Sequence, residues 1–240
     1  MTHRTSAIPE SRVPLNRQRV LDAAVAMADD EGLDALTMRR LAKRLGVEAM
    51  SLYYHVANKR ALLDSIAEIV VSEINQEVAE IGEPDPTEDW TTAMRIRILA
   101  ARKVMLRHRW VSRVLETKTT MSPALLHYHH QLLEVFKAGG VSWDLAHHSL
   151  HALGSRTLGF ISEFYQPSSP QDEKASDEML IRMADQLPLI VEMLSELVDE
   201  DSETTIGWCD DQTEFEFGLD LILEGIERRR QQQSTNTLEQ

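Results

Sequence analysis

Along this chain of 240 residues, apolar positions recur every three or four residues, and no run alternates with period two. That spacing predicts helices nearly throughout. Segment 17–31 carries Val20, Leu21, Ala24, Val25 and Met27 on one side and stops at Gly32. Thr37 is placed to N-cap a short helix over 38–45, which Gly46 closes. A third short helix is expected over 48–54. A fourth should start at Asn58, with Leu62, Leu63, Ile66, Ile69, Val70, Ile74 and Val78 as its buried stripe. Gly-Glu-Pro-Asp-Pro at 82–86 is a break, beyond which helices are expected over 87–107, 109–117, 123–138, 142–165, 178–198 and 210–230. Pro123 suits a first helical position, and Pro188 should kink or split the segment around it. The polar stretches 166–177 and 199–210 read as loops, and the tail from Arg228 reads as disordered. No internal repeat is visible.

Composition narrows the class. The chain is 42% apolar, but no apolar stretch approaches the roughly 20 residues of a bilayer span, so no membrane partner is expected. Residues 1–17 lack the apolar run and cleavage site of a secretory signal, which makes a cytoplasmic location the expectation. Cys209 is the one cysteine, which excludes an internal disulfide and a cysteine-based zinc site. The net charge of −14 argues, as an average, against a nucleic-acid partner. Partitioned, it argues otherwise. Residues 1–60 hold ten basic and seven acidic side chains, a net of +3, and the remaining 180 carry −17. A basic end on an acidic body points to a polyanion at that end.

The chemistry-bearing segment is 36–63. Two short helices joined through Gly46 fit a helix-turn-helix, whose second helix enters the DNA major groove. Leu36, Met38, Leu41, Ala42, Leu45, Val47 and Leu52 have the spacing of its small core. Glu48, Ala49, Met50 and Ser51 would open the reading helix and face base edges. Tyr53, Tyr54, His55 and Lys59 supply hydroxyl, imidazole and ammonium groups suited to phosphates.

These residues resemble the DNA-binding domain of the tetracycline-repressor (TetR) family of bacterial regulators. The resemblance covers residues 17–66 and rests on Gly32, Thr37, Ala42, Gly46-Val47, Leu52-Tyr53-Tyr54-His55, Asn58-Lys59 and Leu62-Leu63. It implies an all-α fold: a flexible arm over 1–14, a three-helix helix-turn-helix domain over 15–62, and a larger helical ligand-binding and dimerisation domain over 63–230, with a disordered tail over 231–240. It further implies phosphate contacts from Thr37, Tyr53, Tyr54, His55 and Lys59, and base reading by Arg39, Ala49, Met50 and Ser51. Arg39 suits a bidentate contact with guanine, and Met50 offers apolar surface to a thymine methyl, core packing being the plainer alternative for it. Arg4, Arg12 and Arg17 leave groove contacts and simple disorder both open. The family binds near-palindromic double-stranded operators as a homodimer.

Two stripes in the body suit such a dimer: Ala152, Ser155 and Gly159 in one helix, and Phe215, Leu219, Ile222 and Ile226, beside Gly218 and Gly225, in the last. Packing within the monomer is the alternative for both. Candidate pocket residues for a small, largely apolar or aromatic effector are Trp90, Met94, Ile98, Met105, Trp110, Leu115, Tyr128, Leu132, Phe136, Trp143, His147, Leu150, His151, Phe160 and Phe164. Most of them should be plain core. A further resemblance, to the C-terminal domain of tetracycline-binding members, rests on Trp90, His108-Arg109 and Gly154-x-x-Thr157-Leu158-Gly159-x-x-x-Glu163. It aligns Asn75 and Leu115 with a drug-contacting and a metal-binding histidine of those members. Leu115 cannot ligate a metal, which speaks against a magnesium–tetracycline ligand.

Histidines cluster at His127, His129 and His130 and at His147, His148 and His151. A zincin needs Glu directly after the first histidine, and here His148 stands there, so no enzyme is expected. No cofactor or catalytic residue is implied. The expected function is a ligand-responsive repressor. A ligand-independent architectural DNA-binding protein and a metal-responsive regulator using the histidines are the alternatives.

Overall fold

A computed structural model of the chain describes residues 14–117, 123–159, 170–197 and 211–238. Eleven α-helices occur among them, with no strand among the described residues: α1 (Arg17–Glu31), α2 (Met38–Leu45), α3 (Ala49–Leu52), α4 (Lys59–Ile81), α5 (Trp90–Arg107), α6 (Val111–Glu116), α7 (Pro123–Ala138), α8 (Trp143–Gly159), α9 (Pro170–Met183), α10 (Pro188–Leu197) and α11 (Asp211–Leu238). No helix among the described residues is long and apolar enough to cross a membrane.

The chain divides into two compact units. One comprises residues 1–80 and 103–130, the other 81–102 and 131–240, so the division falls within α4, α5 and α7.

In the first unit, caps set the helix ends. The Asn16 carboxamide accepts from the Arg19 N–H at 2.8 Å, and the Thr37 hydroxyl accepts from the Arg40 N–H at 3.2 Å. Gly46, at φ +69°, ends α2 in the left-handed conformation that a Cβ disfavours, and its N–H returns to the Lys43 carbonyl at 3.2 Å. Val20, Leu21, Ala24, Met27, Leu36, Leu41, Ala42 and Leu52 are all buried, as the apolar spacing requires. Leu62, Ile66, Val70, Ile74 and Val78 continue the buried stripe along α4.

The second unit is built around α11. Phe215, Leu219, Leu223 and Ile226 are buried along it, together with Leu145, Ala146 and Leu153 of α8. Trp90, the first residue of α5, donates its indole N–H to Glu227 at 3.0 Å and stacks obliquely on Phe136 at 5.7 Å between centroids. Gly139 lies flat against that indole, where any Cβ would collide with it. Arg95 reaches from α5 to Asp220 at 2.7 Å and Glu216 at 2.6 Å.

Three expectations need correction. Segment 170–177, read as a loop, is the first half of α9: Pro170 opens it, and Gln171, Lys174 and Ala175 are exposed. A helix without an apolar stripe is invisible to periodicity, and the helix expected over 178–198 divides into α9, a short 3₁₀ turn and α10 starting at Pro188. The tail from Arg228, read as disordered, is helical through Leu238. Glu227 accepts from Arg230 at 2.6 and 2.7 Å and from Gln231 at 2.7 Å, and Gln233 accepts from Ser142 at 2.9 Å. Finally, α3 stops at Leu52, so Tyr53, Tyr54 and His55 lie in the turn that follows it.

Candidate functional site

The head formed by α1, α2 and α3 sorts its cations into two sets. Arg44 pairs with Asp30 at 2.7 Å, and both Arg40 and Arg44 reach Glu31, all from α2 to α1. Arg39, Lys43 and Lys59 are exposed and make no ion pair among the described residues. Lys59 opens α4, behind an Asn58 carboxamide that accepts from the Ala61 N–H at 2.9 Å.

Helix α3 is one turn long, and Glu48, exposed, opens it without a side-chain cap. Its inner anchor is Leu52, fully buried; Ala49 and Ser51 are half-buried. Met50 is 71% exposed and Tyr54 88%, with Tyr53 exposed beside them and His55 half-buried. An apolar side chain left in water at this position answers the core alternative for Met50. The outward set is thus Thr37, Arg39, Glu48, Met50, Tyr53, Tyr54 and Lys59. It combines guanidinium, ammonium and hydroxyl groups with apolar surface, the chemistry that base edges and phosphates take.

The candidate pocket residues are divided between the two units. Met105, Trp110 and Tyr128 are buried and Leu115 half-buried in the first unit; Trp90, Met94, Ile98, Leu132 and Phe136 are buried in the second. Trp143 is 62% exposed, His147 and His151 are exposed on α8, and Leu150 is half-buried. Phe160 and Phe164 lie outside the described residues, as do Arg4, Arg12, Cys209 and Glu163. Both units also hold buried polar atoms with no hydrogen-bond partner: Asn75 Oδ1 in the first, and Glu83 Oε2, Arg97 Nε and Gln131 Oε1 in the second. The sequence reading passed over Glu83, Arg97 and Gln131. A polar residue inside an apolar helical stripe, as Gln131 is in Leu-Leu-His-Tyr-His-His-Gln-Leu-Leu, was the available signal.

The surface proposed for a second copy also shifts. Phe215, Leu219 and Ile226 are buried within the unit, because α11 turns that register inward; the monomer alternative holds for them. The exposed apolar face of α11 is Phe217 and Leu221, flanked by half-buried Gly218 and Ile222 and by Gly225. Ala152 and Ser155 of α8 are exposed, and Gly159 ends that helix. Between α8 and α11 runs an open groove of about 640 Å³ lined by Asp144, His148, Ala152, Leu221, Ile222, Gly225 and Arg229. His147 lies 4.8 Å from His151 and 5.4 Å from His148 between ring centroids, yet no group of three or more ligating side chains with metal-site geometry occurs among the described residues.

Ion pairs set the charge states in the second unit. Arg230 holds the Glu227 carboxyl well below its ordinary 4.5, at about 2, with Gln231 and Trp90 adding donors. Asp220 and Glu216 hold Arg95 above the ordinary guanidinium range.

Comparison with known proteins decides the family. Residues 20–66 match the family described as bacterial regulatory proteins, tetR family, and residues 83–230 match the tetracyclin repressor-like C-terminal domain. The chain belongs to the TetR family. Tetracycline repressor protein class C of Escherichia coli is 31% identical over 225 residues, covering 94% of this chain and 95% of that one. The TetR-family protein ActR of Streptomyces coelicolor, solved in its apo form, superimposes with a TM-score of 0.72 at 26% identity, covering 92% of this chain and 98% of its own; it has also been solved with actinorhodin. A single-substitution variant of TetR from Acinetobacter baumannii AYE, solved with minocycline, gives 0.61 at 27% identity, covering 90% and 99%. TetR-family regulators are DNA-binding transcription factors and not enzymes, which places this chain among ligand-binding transcriptional regulators.

Proposed function

We propose that the chain is a repressor that binds a near-palindromic operator as a homodimer and is released by a small, largely apolar or aromatic effector. The observation that carries the DNA half is the outward set of the head: Met50 and Tyr54 are exposed, as are Arg39 and Lys59 of the same unit, and burial gives the two large side chains no packing role. In this reading Arg39, Ala49, Met50 and Ser51 read bases, with Glu48 at the mouth of the reading helix. Thr37, Tyr53, Tyr54, His55 and Lys59 hold phosphates.

One turn of helix reads too few base pairs alone, so two heads about a helical turn apart are needed. The groove between α8 and α11 suits a mate's helices, with Ala152, Ser155 and Gly225 permitting close approach and Phe217 and Leu221 as the apolar surface to be covered.

The effector half is supported within the second unit by the unpartnered Gln131 Oε1 and Arg97 Nε, the Arg97 guanidinium pairing with Glu83 through another nitrogen, since buried polar groups are almost always hydrogen-bonded and a ligand is one source of partners. ActR has been solved with actinorhodin and the Acinetobacter variant with minocycline, so proteins of this fold accept small ligands. Leu115 offers no metal ligand, so binding of the effector here does not run through a metal at that position. By linkage, effector and operator weaken each other by the same factor.

Selection from a random duplex pool tests the reading. Enrichment of an inverted repeat, bound by the dimer and released by one member of a small-molecule panel, is the expected result. A pool that returns no sequence sinks the repressor assignment.

A further inference from the structure

One buried titratable group in the first unit neither faces DNA nor lines the groove between α8 and α11. His108, in the turn between α5 and α6, is 8% exposed and stands between two helices. Its Nδ1 lies 2.9 Å from Asp29 Oδ1 on α1, and its Nε2 lies 3.1 Å from Glu73 Oε2 on α4. Trp110 donates its indole N–H to the same Asp29 oxygen at 2.6 Å. From α5, Arg107 approaches Glu73 at 3.6 Å and Glu77 at 3.1 Å, and Lys103 also pairs with Glu77, whose carboxyl it holds below the ordinary range. Asp29 and Glu73 thus touch the ring, and Arg107, Glu77 and Lys103 are the charged groups linked to it through Glu73.

We propose that His108 is a positioning residue for DNA binding: it latches α1 of the reading head to α4, and the latch is complete only while both ring nitrogens donate. This deepens the repressor reading and rests on it.

The chemistry is that of an imidazole between two acceptors. A carboxylate accepts and cannot donate, so both contacts are hydrogen bonds only for the imidazolium, which donates from Nδ1 and Nε2. The neutral ring keeps one N–H and sets a lone pair against a carboxylate at the other nitrogen. Either tautomer therefore releases one helix, α1 or α4. Helix α1 packs on α2, which carries Arg39, and α4 starts at Lys59, so a change between α1 and α4 is a change in how the head is held.

Two measurements test this on the full chain. Ring ¹⁵N spectra of His108 should show both nitrogens protonated, with no DNA present. Operator affinity should then be compared for the wild type and His108→Gln, which keeps a donor for one helix only. The variant should bind about tenfold more weakly under the same conditions. If His108→Gln does not fold, Asp29→Asn replaces it, with the same expected loss. A singly protonated ring overturns the latch. Double protonation with unchanged affinity in the variant overturns the positioning role alone. Failure of the wild type to bind any duplex overturns the head's reading and this role together, while the ring spectrum still reports the latch.

Discussion

Large apolar side chains stand in water in two parts of this molecule, and their surroundings differ. Met50, Tyr53 and Tyr54 are surrounded in sequence by Arg39, Lys43 and Lys59, which are exposed and make no ion pair among the described residues. Phe217 and Leu221 share their face of α11 with Gly218, Ile222 and Gly225, across a groove from Ala152. Cations around an exposed apolar group favour an anionic partner with its own apolar edges. Small residues around one favour a second helix at close range. Exposure marks both as surfaces to be covered; the neighbours say by what.

The comparison can be broken first on α11. Leu221→Asp should convert a dimer into a monomer in light-scattering chromatography and cut operator affinity by about a hundredfold, since the linkage of two heads is what is lost. A dimeric Leu221→Asp would move the interface elsewhere. Arg39→Ala should cost about 1–3 kcal/mol of discrimination at one guanine, seen as relaxed sequence choice in competition binding. Lys59→Ala should weaken binding several-fold on every sequence and make the log–log salt dependence shallower by about one. The inward side of α11 answers to acid instead. Glu227 titrates at about 2 against an ordinary 4.5, so its pairing stabilises the fold above the ordinary value and is lost as pH falls toward about 2. Glu227→Gln should flatten that stretch of the melting-temperature curve. Trp143→Ala, at a 62% exposed position, should change stability by less than about 0.5 kcal/mol.

The head was legible in the sequence because its signals are local. Thr37 caps, Gly46 turns left-handed, Leu41 and Leu52 go in and Met50 goes out, each within a few residues of its cause. The second unit was legible only as helices. In α11, apolar residues at 215, 217, 219, 221, 222, 223 and 226 fit more than one helical face, and only tertiary packing selects the register that points inward. The polar first half of α9 carried no stripe to detect. His108, Asp29 and Glu73 are far apart in the chain, so no spacing rule brings them together.

The reading helix carries a consequence of its own. At four residues, uncapped and pinned by Leu52 alone among its buried side chains, α3 is far below the length at which a helix is stable by itself. Its order is borrowed from α2. The positions that would touch bases, Ala49, Met50 and Ser51, therefore contribute little to folding and can be exchanged at small cost in stability. A lineage of such proteins is free to change which operator it reads one residue at a time, while the scaffold that presents the reader stays under separate and stricter selection.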